Sequence, residues 1–119
     1  EAAAEHIARH FELVTTDLQA SAPLAAGGTQ LLDLVPGRTY DVPLAAVAGS
    51  SIAIATSSRD YWDTIAVLLA PDGTPVIGSD DDTGYFAAFT WVAEQTATYQ
   101  LRVSFFESAA TGAIKVTRD

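Results

Sequence analysis

The chain has 119 residues, 49% hydrophobic and 18% charged, which is the size of a single domain with enough apolar surface to bury a core. A largely disordered chain is thereby excluded, and there is no room here for a two-domain enzyme. Six Lys+Arg against fifteen Asp+Glu give a net charge of −9, a mean field that repels phosphate backbones and anionic headgroups and so excludes nucleic acid as a partner. The absence of cysteine removes disulfide scaffolds, thiolate metal sites and thiol nucleophiles. No apolar run approaches the roughly 20 residues of a membrane span, so membrane insertion is not expected. Because the chain opens on Glu1 and contains no Met, it is expected to be a fragment or processed product whose targeting signal lies outside it.

Residues 1–16, EAAAEHIARHFELVTT, are rich in helix formers and set Ile7, Phe11 and Val14 at helical spacing, which predicts a short N-terminal helix or arm. Alternation of Ile7, Arg9, Phe11 and Leu13 with Ala8, His10 and Glu12 leaves a strand open for its second half. Residues 17–28 carry Pro23 and Gly27-Gly28 without periodicity and read as a linker. Arm and linker thus take 1–27, and the compact domain 28–119.

From Gly28 onward the chain breaks into short runs rich in Val, Ile, Thr, Tyr and Phe, punctuated as in an all-β sandwich. Strands are predicted over 29–34, 39–44, 51–56, 64–70, 75–78, 86–92, 98–106 and 113–117. Pro36-Gly37, Ala48-Gly49-Ser50 and Pro71-Asp72-Gly73 supply turns, the last a hairpin signal in which Gly73 takes the positive φ that other residues resist.

Alternation assigns the faces. Tyr99, Leu101, Val103 and Phe105 point one way while Thr98, Gln100, Arg102 and Ser104 point the other, the pattern of a strand with one solvated face. Tyr40, Val42 and Leu44 repeat it, as do Ile52 and Ile54, and Phe89 and Trp91 read as core. Ile65 to Leu69 is apolar at every position, which predicts a central strand covered on both faces. Two sheets packed face to face account for these patterns better than a layer containing helix.

The pieces PGRTYDVPL (36–44), AGSSIAIAT (48–56), DTIAVLLAPDGTPVIGSDDD (63–82) and ATYQLRV (97–103), closed by a strand at 112–116, resemble in order the bacterial pre-peptidase C-terminal domain. An Asp leading a strand, then Pro-Asp-Gly, then an acidic loop is the most specific stretch. The resemblance spans residues 35–116 and departs at Ala97, where such domains often carry glycine, and at Ala113-Ile114, where an aromatic is expected. It implies a two-sheet, jelly-roll-like β-sandwich of about eight strands, appended to a secreted or cell-surface protein and without catalytic activity of its own.

Six of the fifteen carboxylates, Asp60, Asp63, Asp72, Asp80, Asp81 and Asp82, crowd into residues 60–82 with Arg59 alone beside them. Ca²⁺ takes six to eight oxygen ligands, and a cation shared by Asp60, Asp63, Asp80 and Asp82 would relieve the repulsion among adjacent carboxylates. The spacing does not meet an EF-hand, since Gly84 stands where a third ligand is needed. A solvated acidic turn that keeps the sheet edge soluble is the alternative. Two aromatic pairs flank the acids: Tyr61-Trp62, and Tyr85 with Phe86. Aromatic faces beside carboxylates suit sugar rings or peptides, which makes Tyr61, Trp62 and Tyr85 candidate binding residues; plugging the open end of the core is their plainer role.

Other motifs carry less. Asp82-Thr83-Gly84 spells the aspartic peptidase signature, but Ser79-Asp80-Asp81 precedes it where an apolar strand is required. His6 and His10 stand four apart, as zinc ligands on a helix can, yet Ile7 follows His6 where HExxH needs Glu. Ser50 and Ser51 lack the G-x-S-x-G frame of a nucleophile elbow. The sequence therefore predicts a non-catalytic accessory or binding module, with calcium organising the loop around Asp63 and Asp80 to Asp82, whose partner is a surface polysaccharide, a protein or the rest of its parent protein. A structural spacer or assembly domain without its own ligand is the alternative function.

Overall fold

The computed structural model describes residues 2–59, 63–79, 86–106 and 110–119. Along them run one helix, α1 (Ala2–Val14), and nine strands: β1 (Asp17–Ala20), β2 (Thr29–Leu34), β3 (Arg38–Ala46), β4 (Ser51–Ser58), β5 (Thr64–Leu69), β6 (Pro75–Ser79), β7 (Ala88–Val92), β8 (Ala97–Phe105) and β9 (Gly112–Arg118). Every strand expected from Thr29 onward is present, its ends displaced by two residues at most.

The strands form two sheets, ordered β1-β3-β8-β5-β6 and β2-β9-β4-β7. Only β5 and β6 are consecutive strands paired in one sheet; all the other connections cross between sheets. Their hairpin is the expected one: Ala70 and Thr74 close it (N to O, 2.8 Å), Asp72 Oδ1 accepts from Thr74 N at 3.0 Å, and Gly73 has φ 89°. All pairings are antiparallel except that of β1 with β3.

Period-two alternation builds the core as the sequence implies. Val42 and Leu44 of β3 and Tyr99, Leu101, Val103 and Phe105 of β8 meet Ile52 and Ile54 of β4, Ile114 and Val116 of β9, and Leu32 and Leu34 of β2, all buried. The molecule is thus an all-β sandwich with one short helix.

Two features depart from the two-layer expectation. The helix forms a third layer: Ala4, Ile7 and Phe11, on one helical stripe, cover Ile65, Val67 and Leu69 of β5, while Ala66 and Leu68 face the inter-sheet core. The uniformly apolar β5 is covered on both faces, as predicted, but a helix supplies the second cover. Burying Ile7 and Phe11 stabilises this layer by roughly 1.5–3 kcal/mol each.

The segment read as a linker also holds structure. Residues 17–20 form β1, which pairs in parallel with β3 from Asp17↔Arg38 to Ala20↔Asp41. Leu24, 2% exposed, joins the main core. Arg118 clamps this stretch, donating from its two terminal nitrogens to Leu24 O (2.9 Å) and Ala45 O (2.7 Å). Periodicity could not announce β1, because an edge strand of four residues with three of them exposed has no buried face to pattern.

Candidate functional site

One end of the sandwich carries the connections β2–β3, β4–β5, β6–β7 and β8–β9. The sequence candidates Asp60, Tyr61, Trp62, Asp80, Asp81, Asp82 and Tyr85 belong to two of these connections and lie outside the described residues. Asp63 is described; it is partly exposed, and its backbone carbonyl accepts from Phe106 N at 2.9 Å.

The strand ends that flank these segments are joined by buried hydroxyls. Thr56 Oγ1 and Thr64 Oγ1 are 2.6 Å apart, Ala87 N donates to Thr64 Oγ1 at 2.8 Å, and Ala87 O accepts from Thr56 N at 2.9 Å and Thr56 Oγ1 at 2.9 Å. Ser79 Oγ accepts from Ala88 N at 3.1 Å. Hydroxyls thus take up backbone groups of Ala87 and Ala88, tying the ends of β4 and β5 to the start of β7 and, through Ser79, β6 to β7.

The histidines are helical, as their spacing allowed. His10 stacks on Phe106 with ring centroids 4.6 Å apart and planes 4° from parallel, and its Nε2 lies 3.2 Å from Phe106 O. Among the described residues no group of three or more His, Asp or Glu is placed to hold a metal ion.

The opposite end presents a site that sequence reading missed. Trp91 of β7, Tyr99 of β8, Val76 of β6, Ala70, and Glu94 and Gln95 of the β7–β8 connection line a cleft of about 420 Å³. It opens between the edge strands of the two sheets, β6 and β7. Trp91 is half-buried and meets Tyr99 edge to face, centroids 4.6 Å apart at 74°, a geometry that fixes both rings. Glu94 and Gln95 are exposed at its rim.

Tyr99 is only 2% exposed, yet its hydroxyl makes no hydrogen bond among the described residues. Arg118 Nε is the one side-chain nitrogen or oxygen among them that is both buried and unbonded. The Tyr99 hydroxyl is therefore not sealed from solvent, and the Tyr99 side chain lines the cleft. Strand alternation had correctly made Trp91 and Tyr99 core-facing, but β7 and β8 belong to different sheets, so their meeting at a common mouth depends on the crossover. The signal available in the sequence was the polar pair Glu94-Gln95 set between two aromatics.

By sequence, the chain matches no family model and no curated protein. By structure it is similar to the pre-peptidase C-terminal domain of a collagenase from Bacillus anthracis, with TM-score 0.67 and 13% identity over 87% of this chain and 95% of that one. It is also similar to a periplasmic inhibitor of g-type lysozyme from Aeromonas hydrophila (TM-score 0.63, 13% identity, 87% and 98% covered). A third similar structure is a surface-associated copper-binding protein important in copper acquisition in Methylomicrobium album (TM-score 0.66, 7% identity, 86% and 98% covered). These likenesses show a shared fold, the pre-peptidase C-terminal-like sandwich, which carries different roles in different proteins.

Proposed function

We propose that this chain is a non-catalytic binding module of an exported or cell-surface protein, akin to pre-peptidase C-terminal domains, which contacts a polymer or protein partner. The observation that carries the reading is the Trp91–Tyr99 cleft, a concave, partly apolar site lined by Glu94, Gln95 and Tyr99, whose hydroxyl has no hydrogen-bond partner among the described residues. The hydroxyls of Thr15, Ser21, Ser50, Thr56, Ser104 and Thr111 are engaged with other hydroxyls, with Gln30 or with backbone carbonyls. No described helix is long and apolar enough to cross a membrane.

The test is a thermal-shift screen of the intact chain against soluble neutral polysaccharides and against peptides of either charge. A binding module gains melting temperature with at least one of them and loses that gain when Glu94 becomes Gln or Tyr99 becomes Phe. A structural spacer gains with none.

Calcium belongs to the same proposal as a ligand of Asp60, Asp63, Asp80 and Asp82. Binding would add RT ln(1+[Ca²⁺]/Kd) to stability, about 2.7 kcal/mol at a hundredfold excess. A melting temperature that does not move between chelator and millimolar calcium removes the cation from the reading.

A further inference from the structure

We propose that the cleft between β6 and β7 is a subsite for a neutral sugar ring presented by a polysaccharide chain. This rests on the reading of the chain as a binding module and names the ligand class for its cleft.

Charge narrows the choice first. No Lys or Arg lines the cleft, Glu94 stands at its rim, and the whole chain carries −9, so phosphate, sulfate and uronate ligands meet only repulsion. Hydrogen-bonding capacity narrows it further. Glu94 only accepts, whereas the Gln95 amide and the Tyr99 hydroxyl each donate and accept. Sugar hydroxyls also do both, and can satisfy all three residues together. A lysine ammonium only donates, and would leave the Gln95 NH₂ and the Tyr99 O–H without an acceptor.

The apolar surface fits the same ligand. Trp91, Val76 and Ala70 offer a wall to the C–H face of a pyranose, and Trp91 is held in place by Tyr99 before any ligand arrives, which lowers the entropy lost on binding. About 420 Å³ lies within the usual range for a small-ligand site. Because the cleft opens along the edges of both sheets, the rest of a chain can leave it at either side. Tyr99 gives the strongest pointer. A hydroxyl in a side chain only 2% exposed with no partner in the described protein is a group whose bond a ligand or water must supply.

Isothermal titration of the intact chain with soluble neutral glucan, mannan and xylan tests the proposal, with oligolysine and oligoglutamate run in parallel. At least one neutral glycan is expected to bind, and Tyr99→Phe and Glu94→Gln are each expected to weaken it about three- to tenfold. Glu94 is exposed, so that variant keeps its melting temperature and guards against a folding artefact. Glycan binding that neither substitution weakens moves the site elsewhere and overturns the proposal. Binding of oligolysine or oligoglutamate with no response to any glycan overturns the sugar assignment while leaving the binding-module reading in place. Silence toward every probe overturns both.

Discussion

Ile7 of the helix occupies the space that a side chain at position 78 would need: a Cβ on Gly78 would come within 2.9 Å of Ile7 Cδ1 and 3.1 Å of Ala66 O. Helix and sheet are thus matched by one large and one absent side chain. Ile7→Ala is expected to cost about 2–4 kcal/mol, and Gly78→Val to destabilise by about 1–3 kcal/mol through overpacking. Urea denaturation measures both. A loss below 0.5 kcal/mol in each would mean that the helix layer is not coupled to the sandwich.

The buried hydroxyl network predicts a local effect. Thr64→Val removes the acceptor that Ala87 N uses at 2.8 Å and the partner of Thr56 Oγ1 at 2.6 Å. The cost is expected at about 1–3 kcal/mol, because polar atoms are left buried with fewer partners. Amide exchange at Ala87 should accelerate more than exchange in β3, which does not touch the network. Uniform acceleration across the sandwich would instead indicate a global loss.

On the outer face of the first sheet, Arg102 binds Asp41 in bidentate fashion, Nε to Oδ1 at 2.8 Å and a terminal nitrogen to Oδ2 at 3.0 Å. Both side chains are mostly buried, 23% and 20% exposed, and the pair raises the pKa of the guanidinium, chiefly through its hydrogen bonds to Asp41. A double-mutant cycle with Asp41→Asn and Arg102→Met is expected to give a coupling of about 1–2 kcal/mol. A coupling near zero would place this pair with the exposed ion pairs that contribute little.

Acid sensitivity follows from two carboxylates, the half-buried Asp17 and the exposed Asp72. Asp17 is held below the usual carboxylate range by the Gln19 side-chain amide and by Arg38, and Asp72 by its hydrogen bonds to the Thr74 side chain and backbone. A carboxylate whose pKa is lower in the folded state stabilises above its unfolded value, near 4, and that contribution disappears as pH falls through the folded value. Melting temperatures recorded from pH 6 to pH 2 should therefore decline less steeply below pH 4 in the Asp17→Asn, Asp72→Asn double variant than in the parent. Parallel curves would show that the two groups do not contribute.

How much was legible beforehand differs between fold and site. The strands from β2 to β9 could be read because each buries alternate residues, as Leu101, Val103 and Phe105 do in β8, and Gly73 announced the single hairpin. Alternation records only which way a side chain points relative to its own sheet. It gave no access to β1, and it could not show that the cover over Ile65, Val67 and Leu69 is Ile7 and Phe11, about 60 residues earlier in the chain. The acidic and aromatic candidates at 60–63 and 80–85 stand out only by local density, and apart from Asp63 they lie outside the described residues.

The sequence by itself determined an acidic, cysteine-free β-sandwich, because charge, composition and period-two burial are properties of neighbouring residues and need no knowledge of long-range contacts. Only the tertiary structure decided where a concave aromatic cleft forms. Trp91 and Tyr99 stand on consecutive strands that cross into different sheets, and that crossover turns two core aromatics into the wall of a cleft. Closure of the sandwich brings Val76 and Ala70 to the same mouth, beside the Tyr99 side chain.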